Sequence, residues 1–203
     1  MRLVRLGPPD LAGDVQPLVR WVADAWNPYG TWLLGSDQRV CATAREWLAR
    51  DTSELSVTLA TALYDGELQL GGYVAVAGDE LGRRRRADLM WLLQNAGPAE
   101  RATLADRLRE SRDFFVPVEE RQWYLSKLGV LSDYRGRGLA RVILDDFVQQ
   151  GVERGFTAFR LDVWADNEPA MRLYGRRGFA SVGEAELPSG IRYAAMTLDL
   201  EDR

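Results

Sequence analysis

The chain contains no histidine at all. That single absence excludes a Ser-His or Cys-His nucleophile pair and a histidine-ligated zinc, and it leaves any general base to a carboxylate, a tyrosine, a lysine or water. Cysteine is nearly as scarce: Cys41 is the only one, so no internal disulfide can form, as expected of a reducing compartment. Cys41 falls beside Val40, Ala44, Trp47 and Leu48 on the apolar side of an expected helix, where a small buried thiol is the ordinary state. No run approaches the ~20 apolar residues of a membrane span, and the first residues, MRLVRLGPPD, lack the apolar core of a signal peptide. The expectation is a cytoplasmic protein with no membrane partner. Net charge is −4, which gives no bulk attraction to nucleic acid.

What is present is one domain's worth of core: 203 residues, 46% of them apolar. The most informative stretch is Trp123 to Arg141. Trp123, Tyr124, Leu125, Leu128 and Val130 read as a buried strand, and Leu139, Ile143 and Phe147, with Val142, mark one face of a helix. Between them lies Arg135-Gly136-Arg137-Gly138. Glycine tolerates positive φ and carries no side chain to hold a ligand away, so the amide hydrogens of such a turn can converge on an anion. The helix dipole adds roughly half a positive charge there, and Arg135, Arg137 and Arg141 add full ones. This is the chemistry of a pyrophosphate seat. A Walker loop is excluded because Leu139 and Ala140 stand where Lys and Ser/Thr are needed, and a dinucleotide fingerprint because Arg141 stands where a third Gly or Ala is needed.

Arg135-x-x-Gly138-x-Ala140, preceded by Leu128-Gly129-Val130, resembles the acyl-coenzyme A signature of the GNAT superfamily of N-acetyltransferases. A second segment, LDVWADNEPAMRLYGRRGF from Leu161 to Phe179, is similar to another stretch of that family at Leu161, Val163, Asn167, Ala170, Leu173, Tyr174, Gly178 and Phe179. The resemblance implies the GNAT acyl-CoA N-acyltransferase fold: an α/β architecture with a mixed, mostly antiparallel sheet and a central parallel βαβ unit flanked by helices. It implies acetyl-CoA as cosubstrate, no metal, and a primary amine on a small molecule or peptide as acceptor. The coenzyme would be held by Leu128, Gly129, Val130, Arg135, Gly136, Arg137, Gly138, Leu139, Ala140, Arg141 and Asn167, with Asn167 also able to cap a helix before Pro169. Tyr174 is expected to act as general acid towards the departing thiolate. Glu119, Glu120 and Asp162 are open candidates for the base, with Asp162 turned to the other face of its strand.

The remaining chain is read as one domain, 1–203, with a helical insertion at about 79–121. A strand is expected over Leu3 to Leu6, then a helix with Leu18, Val22 and Trp26, a turn at Asn27-Pro28-Tyr29-Gly30, and a helix after Asp37. Trp26, Tyr29 and Trp32 either face the acceptor or fill the space between helices and sheet. Alternation from Leu55 to Leu63, the Asp65-Gly66 turn and the arm to Val76 predict a hairpin, with Gly71-Gly72 marking a bulge or a close neighbour. The Arg83–Arg86 run reads as a solvated face, or else as a dock for an acidic carrier protein or anionic substrate. Two other functions stay open at this level: an acyltransferase using a thioester on such a carrier, and a non-catalytic sensor of acyl-CoA. A monomer and a homodimer are both compatible.

Overall fold

The computed structural model describes residues 1–201. Seven strands form one sheet in the order β1-β2-β3-β4-β5-β7-β6, where β1 is Arg2–Arg5, β2 Ala60–Asp65, β3 Leu68–Ala77, β4 Gln122–Val130, β5 Ala158–Trp164, β6 Ala180–Glu186 and β7 Arg192–Asp199. Every neighbouring pair is antiparallel except β4 and β5. These two are joined by α6, Leu139–Glu153, which presents Leu139, Ile143, Leu144, Phe147 and Val148 to the sheet. Val142, by contrast, faces outward. The sheet is thus mixed and mostly antiparallel around one parallel βαβ unit.

Helices cover both faces. α1, Gln16–Trp26, α2, Tyr29–Leu34, and α3, Asp37–Leu48, bury Trp21, Val22, Leu33, Val40 and Leu48 in one apolar cluster. α6 and α7, Glu168–Arg177, build the other with Tyr73, Leu125, Phe159 and Leu161. Between β3 and β4 the chain makes two further helices, α4, Gly78–Asn95, and α5, Pro98–Glu110. Among the described residues no helix is long and apolar enough to cross a membrane.

Two local expectations are corrected. Residues 27–30 are not a free turn: Tyr29 opens α2, and Asn27 Oδ1 accepts hydrogen bonds from the Thr31 N–H and hydroxyl. The first hairpin arm starts at Ala60, not Leu55, because Leu55 and Val57 are buried from a loop and a short 3₁₀ turn, Val57–Leu59. Ser53 and Ser56 satisfy that loop by accepting from the Leu55 and Thr58 amides, a local alternative to ladder bonding. Gly71 and Gly72 do mark close neighbours, since a Cβ on either would lie 2.3 Å from a carbonyl oxygen of the adjoining strand.

Two irregularities of β4 shape the space beside it. Its parallel pairing with β5 ends at Leu125↔Leu161, although both strands run on, so they part and leave one edge of β4 without a strand partner. On its other edge, Val74 pairs with Lys127 and Ala75 with Leu125, making Ser126 an extra, bulged residue.

Candidate active site

The opening between β4 and β5 is a cavity of about 1040 Å³. At one end lies the turn into α6. Gly136 and Gly138 both adopt φ of +76°, left-handed backbone that other residues rarely take. Among the described residues, none of the main-chain N–H groups from Gly136 to Ala140 donates a hydrogen bond, so five consecutive amides remain unengaged at a helix start. Leu128, Gly129, Val130, Arg135, Gly136, Gly138, Leu139, Ala140, Arg141, Asn167 and Tyr174 all line this cavity.

Arg137 does not line it. Its guanidinium lies 5.4 Å over the Tyr134 ring and donates to the Asp133 carbonyl, so local stacking and a hydrogen bond turn it aside. Arg135 lines the cavity but is also tied down: Nε donates to the Val130 carbonyl and Nη2 pairs with Asp24 at 2.9 Å. It fixes the turn to β4 and α1. Of the other arginines at the mouth, Arg172 and Arg177 pair with Glu168 and Asp145, Arg141 is highly exposed and 3.7 Å from Asp145, and Arg176, whose sequence position marks only a helix end, has no ion-pair partner among the described residues.

Asn167 caps α7, accepting from the Ala170 amide at 3.2 Å, while it lines the cavity. Tyr174 is buried, with Phe179 edge-on at 6.1 Å, and its hydroxyl makes no hydrogen bond to another described residue. Burial pushes its phenol well above the ordinary value, so it stays protonated at any working pH.

A second cavity of about 380 Å³ adjoins the first and shares Ser126, Lys127, Asp162 and Tyr193 with it. Trp26, Tyr29, Trp47, Phe115, Tyr124 and Tyr193 give it an aromatic wall. Trp26 and Tyr29 therefore do face a cavity, whereas Trp32 packs against the core. Arg85, Asp88 and Leu89 come to it from α4 and Leu108 from α5.

The arginine run divides. Arg83 and Arg86 are exposed, as a solvated face requires. Arg84 turns inward to the carbonyls of Asp51 and Ser53, and Arg85 pairs with Glu54 at 2.9 Å and donates to the Tyr124 hydroxyl at 2.8 Å. Burial alone would push Glu54 up, but the charges of Arg85 and Lys127 and hydrogen bonds from Arg85 and Ser126 hold it down at about 2. Lys127 is shifted down by burial, against the pull of Glu54. Asp162 is engaged by Arg160 at 2.8 Å and by the Tyr124 hydroxyl at 2.9 Å. Glu119 and Glu120 are exposed and line neither cavity.

Sequence reasoning missed Glu54, Asp88 and Lys127, and took Arg85 only as one of the Arg83–Arg86 run. They lie on separate segments and share no local pattern. One signal was available: Leu81, Arg85, Asp88 and Leu92, spaced four, three and four apart, mark a single helical face. Cys41 sits half-buried on α3, its thiol pushed up by burial.

Comparison with known proteins places this geometry. Over 57 residues the chain is 44% identical to mycothiol acetyltransferase of Corynebacterium aurimucosum, a match covering 28% of this chain and 19% of that relative. The chain thus spans about a fifth of that relative's length. Among solved structures, an N-acetyltransferase from Staphylococcus aureus Mu50 superposes with a TM-score of 0.75 at 17% identity, over 98% of this chain and all of the other. A protein from Salmonella typhimurium solved with its cofactor acetyl-CoA gives 0.56 at 13% identity over 98% and 94%. At such identities these likenesses establish the fold alone. Residues 16–179 match the sequence profile of the acetyltransferase (GNAT) family, four-fifths of the chain, and with the parting of β4 and β5 and the glycine turn at α6 this protein belongs to that family.

Proposed function

We propose that the protein transfers an acetyl group from acetyl-CoA to a primary amine by direct attack, as a single domain in which α4 and α5 wall the acceptor cavity. The observation that carries this reading is the junction at Ser126 and Lys127, where the end of the β4–β5 pairing brings the two cavities together. The Salmonella relative was solved with acetyl-CoA, which supports the choice of cosubstrate.

Acetyl-CoA would supply the activated thioester. The free amides from Gly136 to Ala140 hold its diphosphate, with Arg141 and Arg176 adding charge at the mouth. The unpaired edge of β4 through Leu128, Gly129 and Val130 accepts the amide-rich arm as an added strand would, with Asn167 opposite. A main-chain N–H of that edge donates to the carbonyl oxygen as negative charge builds on it, a contact whose loss elsewhere costs about 2.7–4 kcal/mol.

Tyr174 donates to the sulfur as it leaves. Burial keeps Tyr174 protonated, so its hydroxyl is available to the sulfur, and the proton that the attacking nitrogen sheds restores the phenol. Glu54, ionised down to about 2, holds no proton near neutrality and acts as a fixed charge. With Asp162 also engaged, the amine releases its proton to solvent before attack. A carrier-protein donor has less support, since Arg84 and Arg85 are spent inside the protein.

The test is release of free thiol from acetyl-CoA across a panel of small amines and peptide N-termini. Release that depends on the amine, with the N-acetyl product seen by mass, is expected. Coenzyme binding without transfer to any amine would overturn catalysis in favour of sensing.

A further inference from the structure

Asp88 is 2% exposed and lines the second, acceptor cavity but not the first. Its two oxygens are treated unequally. Oδ2 accepts from the Glu54 amide at 2.8 Å and from the Ser53 hydroxyl at 3.1 Å, whereas Oδ1 is buried with no partner. A buried carboxylate oxygen left without a donor is costly, and proteins rarely keep one without use. Trp47 Nε1, a donor, is also buried and unpartnered, and Trp47 lines the same cavity.

Around these polar atoms the wall is aromatic, with Trp26, Tyr29 and Phe115. The other carboxylates at the cavity are taken, Glu54 by Arg85 and Asp162 by Arg160. Among the described residues, Asp88 Oδ1 is therefore the carboxylate oxygen of this lining that has no donor from the protein.

We propose that Asp88 is the specificity-determining residue of the acceptor cavity, and that the preferred acceptor is an aromatic amine carrying a second polar group, an O–H or N–H donor, at the end away from the amine that is acylated. This rests on the function proposed above and names its substrate class. The donor binds Asp88 Oδ1, the ring lies among the aromatic side chains, and the amine points to Ser126 and Lys127.

The experiment compares phenethylamine, tyramine and 4-(aminomethyl)phenethylamine, which share a ring and ethylamine and differ in having no distal donor, a hydroxyl or an ammonium. Each is titrated calorimetrically into the intact protein, and each is then offered with acetyl-CoA. At pH 8.5, where the Asp88 carboxyl is ionised, at least one donor-bearing amine binds about tenfold or more tightly than phenethylamine, from a buried hydrogen bond to a charged acceptor. Asp88→Asn reduces that preference to within about twofold. Equal affinities, tighter phenethylamine, no heat from the donor-bearing amines at millimolar concentration, or an unchanged preference in Asp88→Asn would each overturn the proposal. The wild-type series decides alone if the variant does not fold. Selective binding without acetyl transfer would instead count against the catalytic reading and leave the subsite standing.

Discussion

Asp88→Asn should stabilise the unliganded protein at alkaline pH and do little at acid pH. Burial pushes the Asp88 carboxyl from 3.8 up to about 7, opposed by the Glu54 amide and the Ser53 hydroxyl and reinforced by the Glu54 charge. A carboxyl whose folded pKa is raised binds more protons in the native state between those two values, so stability falls as pH rises from about 4 through about 7. At 1.36 kcal/mol per pH unit that interval corresponds to at most ~4 kcal/mol, and ~2–4 kcal/mol is a fair range once relaxation of the site is allowed. Asparagine keeps an oxygen for the Glu54 amide and never ionises, so it resembles the protonated aspartate. For a domain of this size 1 kcal/mol moves Tm by about 2–4 °C. Thermal melts of both proteins from pH 4.5 to 8.5 should therefore give curves that nearly coincide at the acid end and separate by roughly 4–16 °C, the variant higher, at the alkaline end. A constant offset, or a wild type that gains on the variant as pH rises, would refute the burial argument.

Other perturbations separate chemistry from structure. Tyr174→Phe should lower kcat by about 10²-fold or more while leaving the Kd for coenzyme A within about twofold, measured by stopped thiol release and calorimetry. Arg85→Ala strands Glu54 as a buried, unpaired charge and should cost about 3 kcal/mol in urea denaturation; an effect under ~1 kcal/mol would mean the pair is hydrated. Because Glu54 is held at about 2 against an ordinary 4.5, its stabilisation is full above pH 4.5 and is lost as pH falls towards 2, and Arg85→Ala should flatten that acid limb. Arg135→Ala should weaken coenzyme binding by loosening the turn from Val130 and Asp24, whereas Arg137→Ala should leave it within about twofold; the opposite order would refute both roles.

The parts that sequence reading reached are those written in contiguous residues. A strand, a glycine turn and a helix within Trp123 to Phe147 carry their own periodicity, and Asn167 to Phe179 carries its cap, its helix and its glycine stop, so the parallel unit could be read directly. The second cavity was legible only through Trp26 and Tyr29, because its remaining lining is assembled from Glu54 in a loop, Asp88 on α4 and Lys127 on β4, segments that meet only in the folded chain. Leu55 and Val57 misled because a buried loop can alternate like a strand when serines satisfy its backbone. The arginine run misled because charge was read without periodicity: on α4, Arg85 shares a face with Leu81, Asp88 and Leu92.

The proposed acyl transfer requires main-chain nitrogens between Gly136 and Ala140 to grip a diphosphate. Calorimetric titration of coenzyme A into the wild-type protein and into Gly138→Val tests this directly, because a β-branched residue at φ +76° is strained and the amides lose their convergence. Saturable binding to the wild type, weakened about 10²-fold or more in a Gly138→Val protein that still melts cooperatively, is the predicted result. No heat with the wild type, or equal affinity in the two, would contradict it.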